Sequence, residues 1–537
     1  MIRFNGLNNG SKNDSRQDQS GKLLLAGDIV TMNAERTVRR RGRVCIDGAT
    51  IAAVLGPEDP LPAAFAQVEQ IDTGGTIFPG LIDLHNHLTY NMLPLWNVPR
   101  KFTNRNQWRT EEPSYQTDVA LPASILARHP DPDYTRAIIR FAECRSLFGG
   151  VTTGQGMSMS SSGGARKLFQ GLVRNVEQPI EEGWAAAGGQ TLDYHPDEIE
   201  SKLVPALAQR VPFFYHLSEG TDREARQRFR DLRRPDRSWA LGKGLICVHC
   251  VGLWKNDFDV LEQAAGMVWS PTSNLLLYGK TANVAAAKAN GIPIALGVDW
   301  SPSGCKNLLG ELKMAHAVSE KQGGVFSPEE LVAMATAVPA AMLGWQRHVG
   351  TIARGRRADL LVLQGQHADP YMALIDARET SIRAILIDGR VRLGEAATLC
   401  SADEDSAETF AIGGKDYYID LLEGSDDPMA GMTLTAAVEK LADGLHRLPA
   451  LRDAKPDGAQ RKRMPAPEWR LDLDMEMEEP APRNRTMMAA GLRAAAAPAP
   501  LRSMKLEPLT AVDDPQFPER LLANPNLPGY IRKRLRQ

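Results

Sequence analysis

Between residues 79 and 347 the apolar positions fall in short runs, each followed by a stretch with helical spacing. That rhythm is the one expected of parallel βα units. Leu81, Ile82 and Leu84 make the first run, after Pro79 and Gly80, and read as a short buried strand. Ile138, Phe141 and Ala142 predict a helix over 134–148, leading into a second strand at 150–153. Residues 172–176 and 190–194 are the expected third and fourth strands. The later runs are sharper: 211–215 before His216, 245–248 before His249, 267–269 before Ser270-Pro271-Thr272-Ser273-Asn274, and 294–298 before Asp299. Helices are expected over 221–232, 258–265 and 284–290. Ser327-Pro328-Glu329-Glu330 opens another, with an N-cap serine, an N1 proline and a capping-box glutamate. The crossover 91–132, rich in Trp, Arg, Asn and Pro, predicts a lid-like loop rather than regular structure.

Strand patterns flank this middle segment. Residues 23–32 and 43–54 precede it, the second run turning at Asp47-Gly48; residues 359–363 and 384–391 follow it, with Asp388-Gly389 at a turn. Asp-Gly between apolar runs is a hairpin signal. The arrangement predicts one small β-domain assembled from both sides of the middle segment, two unrelated β-patches being the alternative. Past residue 397 the rhythm stops, with a strand-like piece at 417–422 and a helix at 433–445. From about 465 the chain is rich in Pro, Ala and Arg, with AAAAPAP at 494–500, which predicts an extended or weakly packed tail. The expected division is a flexible tail (1–20), a first β-part (21–78), a βα segment (79–347), a second β-part (348–396), an extension (397–464) and a tail (465–537).

Composition excludes more than it suggests. A net charge of -2 over 537 residues gives no reason to expect nucleic acid or an anionic membrane as partner. No apolar run approaches the ~20 residues needed to cross a bilayer, and the polar N-terminus lacks a signal peptide's apolar segment. The cytoplasm is the expected compartment, and a homo-oligomer is allowed by the reading. The six cysteines, Cys45, Cys144, Cys247, Cys250, Cys305 and Cys400, are scattered and do not form a disulfide framework.

The chemistry lies at the strand ends. His85 and His87 are two apart, a spacing that puts both imidazoles on one side of an extended chain. By itself His-x-His is weak, but His216, His249 and Asp299 also follow apolar runs. In a βα barrel the C-terminal strand ends converge on the working face. Imidazoles and a carboxylate there suit Zn²⁺ or a similar divalent ion with a position left for water, whose pKa is then lowered towards ~7. Glu219, three residues beyond His216, can serve as a proton shuttle without being a ligand. Each residue also has a bland reading: a polar strand terminus for His85 and His87, a satisfied core histidine for His216, a capping aspartate for Asp299, a solvated loop charge for Glu219. Cys247 and Cys250 beside His249 offer a competing Cys-x-x-Cys site, discounted because strand alternation turns them to opposite faces.

The strings PGLIDLHNHL, HLSEG, VHCVGL, SPTSNLLLYG and ALGVDWSPSG, in that order, resemble the amidohydrolase superfamily, in the branch of cytosine- and guanine-type deaminases and triazine chlorohydrolases. The resemblance spans residues 22–395. It implies an α/β fold, a (β/α)₈ TIM-like barrel with a small β-sandwich domain from both flanks, plus a C-terminal extension. It implies one divalent metal held by His85, His87, His216 and Asp299, zinc ahead of iron. It makes Glu219 the acid/base, with Asp299 sharing in activation of the nucleophile and His249 polarising the substrate. The expected fourth strand has no lysine to bridge two metals, which favours a mononuclear site. The expected function is hydrolysis of a non-peptide carbon–nitrogen bond in a small molecule, by deamination of a heterocycle or opening of an amide. The alternatives are chlorohydrolase-like dehalogenation and a non-catalytic binding or assembly relative, which would be expected to have lost ligands. Substrate-binding residues are not identified; Trp96, Trp108 and Tyr115 either stack on a planar ring or pack the crossover, and Asn274 either braces its loop or touches substrate.

Overall fold

The protein is described as a computed structural model, over residues 21–536 apart from 157–158, 162–170, 192, 397–406, 422–428, 454–468 and 472–499. The N-terminal tail, Cys400 and most of the Pro/Ala-rich stretch thus lie outside the described residues. The chain is α/β, with most of its strands in one large mixed sheet and two parallel sheets.

The mixed sheet draws on both flanks. From the N-terminal side come β1 (Lys22–Val30), β2 (Val38–Asp47), β3 (Thr50–Leu55) and β4 (Gln70–Pro79). After the middle segment come β14 (Leu360–Gln364), β15 (Ile382–Ile387), β16 (Arg390–Glu395), β17 (Ala407–Ile412) and β18 (Lys415–Asp420). Their order is β17-β18-β16-β15-β14-β4-β1-β2-β3, so one sheet joins the two flanks through the antiparallel pair β4–β14. Strands of both flanks thus share one sheet, which runs on past residue 396 into 407–420. Alternation along β14 supplies both faces: Leu360 and Val362 pack into a cluster with Ile46 and Ile77, while Leu361 and Leu363 join the main core.

The middle segment gives the parallel strands β5 (Leu81–Asp83), β6 (Val151–Gly154), β8 (Arg174–Asn175), β9 (Gly188–Gln190), β10 (Phe213–Leu217), β11 (Leu245–His249), β12 (Gly266–Trp269) and β13 (Ile294–Leu296); β7 (Met159–Ser161) pairs elsewhere. They form a three-stranded sheet, β5-β6-β8, and a five-stranded one, β13-β12-β11-β10-β9. Backbone bonds span both gaps between these sheets: Ala187 N donates to Val176 O at 3.0 Å, and beyond β13 Asp299 N donates to His85 O at 2.8 Å. The expected third strand is found at Arg174–Asn175, one residue short of its predicted end, and the fourth at Gly188–Gln190, four residues short. Capping at Ser327 is as expected, with Glu330 completing the box.

Three expectations are corrected. The crossover 91–132 is not a structureless lid, since it holds helices at Arg105–Arg109 and Leu121–Ala127 and its aromatic residues Trp96, Trp108 and Tyr115 are buried. Burial of those rings outweighs a composition that lacks helical periodicity. Ser270 to Asn274 is not a loop: Pro271–Tyr278 is a helix with proline in its first turn and left-handed Gly279 (φ 64°) ending it, the usual start and stop asymmetry. The third concerns the C-terminal tail. Residues 500–536 pack on the core through Leu501, Leu509, Phe517, Leu521, Leu527 and Ile531, all buried. Their polar groups engage the middle segment: Lys306 Nζ lies 3.1 Å from Glu507 and 3.0 Å from Asp514. Glu507 also accepts from Leu95 N at 3.2 Å, and Asn526 Nδ2 donates to Leu276 O at 2.7 Å. Sparse apolar residues in this segment suffice because the surface beneath them carries matching charges.

Candidate metal and catalytic site

The C-terminal ends of β5, β10, β11 and β13 bring His85, His87, His216, His249 and Asp299 together, all buried. His216 lies inside β10 and His249 ends β11, whereas Asp299 sits beyond β13. The backbone at these exits is unusual. Ser218, His249, Cys250 and Asp299 have φ of 52°, 69°, 54° and 69°, a left-handed region that costs non-glycine residues energy and marks sites where geometry is imposed.

The nitrogens of His85, His216 and His249 form one tight group, and those of His85 and His87 with an Asp299 oxygen form another, with ligand atoms within 4.8 Å of each other in each. Asp299 Oδ1 stands 3.2 Å from His85 Nε2 and 3.5 Å from His87 Nε2. Neither ring nitrogen of His85 or of His216 has a hydrogen-bond partner among the described residues. Buried polar atoms are almost always paired, and each one left unpaired costs about 1–3 kcal/mol. Burial lowers His85 to about 4 and takes His216 well below its ordinary value, so both rings are neutral at pH 7 with lone pairs available. Burial pushes Asp299 up, but the close approach of the His85, His249 and His87 rings brings it below the ordinary carboxylate range. Neutral imidazoles facing an ionised carboxylate are the donor set of a divalent cation, and a cation there would take one orphaned nitrogen of each ring.

His249 differs from its neighbours. Trp269 Nε1 donates to Thr281 Oγ1 at 2.7 Å, and that hydroxyl donates to Asn274 Oδ1 at 3.3 Å. Asn274 Nδ2 therefore points at His249 Nδ1, 3.1 Å away, and makes it an acceptor. With Nδ1 accepting, the ring's proton sits on Nε2. A protonated Nε2 cannot ligate a metal but can donate a hydrogen bond, which separates His249 from the other three imidazoles. Asn274 thus braces His249 from a helix. Cys247 and Cys250 are buried and free, and burial holds the Cys250 thiol well above its ordinary value, so Cys250 offers no thiolate to a competing site.

Glu219 lies at the edge of the cluster, Oε2 3.8 Å from His249 Nε2. Its other oxygen accepts from Tyr278 Oη at 2.7 Å, and that hydroxyl accepts from Trp108 Nε1 at 2.8 Å. Arg105 Nη1 is 3.3 Å from Glu219 Oε2, and its Nη2 is 2.8 Å from Asp193 Oδ2. Trp108 also packs on Trp300 with ring centroids 5.6 Å apart, and Trp300 lies 6.1 Å from the His87 ring. Trp108 and Tyr115 belong to this aromatic wall, and Trp96 stands behind Tyr115. Sequence reasoning missed Arg105, Tyr278 and Trp300. Tyr278 had a signal: it is four residues after Asn274, hence on the same helical face.

Residues 185–392 match the family model described as the amidohydrolase family. Within that amidohydrolase match lie Glu219, His216, His249 and Asp299, whereas His85 and His87 precede it. Among curated relatives, a 5-methylthioadenosine/S-adenosylhomocysteine deaminase of Syntrophobacter fumaroxidans is 27% identical over 421 residues, covering 69% of this chain and 92% of the relative. An S-triazine hydrolase of Gordonia rubripertincta is 26% identical over 434 residues, covering 68% and 89%. The zinc complex of atrazine chlorohydrolase from Arthrobacter aurescens TC1 superposes with a TM-score of 0.58 at 18% identity, covering 79% of this chain and 99% of that one. A zinc-bound adenosine deaminase from Xanthomonas campestris gives 0.56 at 16%, covering 80% and 98%. At these identities the structural likeness is one of fold.

Proposed function

We propose that the protein is a metal-dependent hydrolase that cleaves a non-peptide carbon–nitrogen bond of a small nitrogen heterocycle, releasing ammonia. The observation that carries this reading is the pair of neutral, buried imidazoles, His85 and His216, left unpaired beside ionised Asp299. His85, His87, His216 and Asp299 would hold one divalent ion, zinc ahead of iron, a preference that the zinc bound in two structural neighbours supports. A divalent ion there supplies water of lowered pKa as a nucleophile at neutral pH. Asp299 would accept a hydrogen bond from a water held there and orient it. His249 donates its Nε2 proton as a hydrogen bond to the heteroatom beside the reacting carbon, drawing electrons from it. Glu219 takes a proton from the attacking water and passes it to the departing nitrogen, which leaves as neutral ammonia. The aromatic wall of Trp108, Tyr115 and Trp300 suits a planar substrate.

We further read the two parallel sheets as one (β/α)₈ barrel closed by the Val176–Ala187 and His85–Asp299 bonds, and the nine-stranded sheet as a second domain of sandwich type. Among the described residues no helix is long and apolar enough to cross a membrane, in keeping with a small-molecule enzyme. The triazine-active relatives favour one second reading, displacement of a ring chloride, which leaves without a proton. Ammonia release from 5-methylthioadenosine, S-adenosylhomocysteine, adenosine and guanine, against chloride release from atrazine, separates the two. Elemental analysis should find about one divalent ion per chain. Glu219→Gln should keep that ion and lose ~10²–10⁴-fold in turnover, whereas His216→Ala should lose both. Turnover by metal-free protein would refute the mechanism.

A further inference from the structure

The crossover segment is stitched to the chain just after Glu219. Asn104 and Gly220 form an antiparallel bridge; Thr221 N donates to Thr103 O at 2.6 Å, and Asp222 accepts from Thr103 Oγ1 at 2.8 Å and Asn104 Nδ2 at 2.7 Å. Gly220 has φ of 144°, and a Cβ there would run into Thr103 O and Asn104 Cα, so only glycine allows this approach. The helix that follows begins with Arg105, buried. Its guanidinium is fixed by Thr191 O at 2.5 Å and Asp193 at 2.8 Å and reaches Glu219 Oε2 at 3.3 Å. The oxygen it touches is the one that faces His249; Tyr278 occupies the other.

We propose that Arg105 is a positioning residue that ties closure of the 91–132 crossover over the site to the placement of Glu219. This rests on the reading of Glu219 as the acid/base. A carboxylate oxygen has room for two donors, so Oε2 keeps Arg105 while it exchanges a proton with water or the leaving nitrogen. Arg105, Trp108 and the metal cluster are all buried, so substrate reaches the cluster only when part of the surrounding chain moves, and the crossover, which carries Arg105 and Trp108, is the part that touches Glu219 and Tyr278. When the crossover lifts, Arg105 leaves and Glu219 keeps only Tyr278; when it closes on substrate, Oε2 is aimed again.

Two measurements test this. Hydrogen exchange needs no substrate: Arg105→Ala and Glu219→Gln should each speed deuterium uptake across residues 100–110, and the double variant should be no faster than Arg105→Ala, since both break one contact. Unchanged uptake in Glu219→Gln, or additive effects, would overturn the proposal. If Arg105→Ala does not fold, Arg105→Lys takes its place in the same cycle. In turnover of whichever panel compound releases ammonia, Arg105→Ala should lose about 10²-fold in kcat with little change in KM. Added guanidinium should restore part of it. A loss confined to KM, or no rescue, would leave Arg105 a packing residue. Absence of any ammonia release, with the exchange coupling intact, would instead count against the proposed function.

Discussion

Tyr278→Phe removes one oxygen from a fully buried chain that runs from Trp108 through Tyr278 to Glu219. Two groups lose by it. Glu219 forfeits a 2.7 Å hydrogen bond to a charged acceptor, a kind that contributes about 1.5–3 kcal/mol. Trp108 Nε1, 2% exposed in its residue, is left without that acceptor at a cost of about 1 kcal/mol or more. Phenylalanine fills nearly the same volume, so no cavity offsets or adds to the loss. The expected destabilisation is therefore about 3 kcal/mol, which lowers the melting temperature by about 6 °C or less for a unit of this size. Thermal unfolding followed by circular dichroism measures it, with metal content checked on the same sample and expected to be unchanged. Trp108→Phe provides the cross-check, because it removes the donor that Tyr278→Phe orphans. The double variant should be less destabilised than the sum of the singles by about 1 kcal/mol. A change below ~0.5 kcal/mol for Tyr278→Phe, the range of ordinary surface substitutions, would refute the reasoning.

Burial raises Glu311 to about 8, against the hydrogen bonds from Thr272 Oγ1 (2.6 Å) and Thr272 N (2.9 Å). The folded protein then holds a proton that the unfolded chain has released, so this group's contribution to stability falls as pH rises from about 4.5 to about 8 and levels off above. Glu311→Gln should remove that slope, gaining on the wild type between pH 5 and pH 8 in paired melting curves; parallel pH profiles would count against it. Truncation after residue 499 should not yield a stably folded protein, since it leaves Lys306, 1% exposed at its side chain, without Glu507 and Asp514. Breaking a buried ion pair costs about 3–5 kcal/mol, and a truncated chain that melts like the full one would show that the segment carries no such role.

The strand-end residues were legible because period and terminus can be read locally: an apolar run sets a strand, and the residue after it lies on the face where other strands end. His85, His87, His216, His249, Asp299 and Glu219 were all found that way, and the structure does bring them together. The flanking hairpins at Asp47-Gly48 and Asp388-Gly389 were found for the same reason, since a two-residue turn is a local event.

What the tertiary structure alone decided is everything whose partner lies far along the chain. Arg105 meets Glu219 across 114 residues, and Lys306 meets Asp514 across 208; no periodicity near either end announces such a pair. The crossover and the C-terminal segment were both misjudged from composition, because their helices are held by burial against surfaces supplied from elsewhere rather than by an amphipathic pattern of their own. The tautomer of His249 belongs with these, set by a hydrogen-bond relay from Trp269 through Thr281 and Asn274. A sequence can say that an imidazole stands at a strand end, but only packing fixes which nitrogen carries the proton.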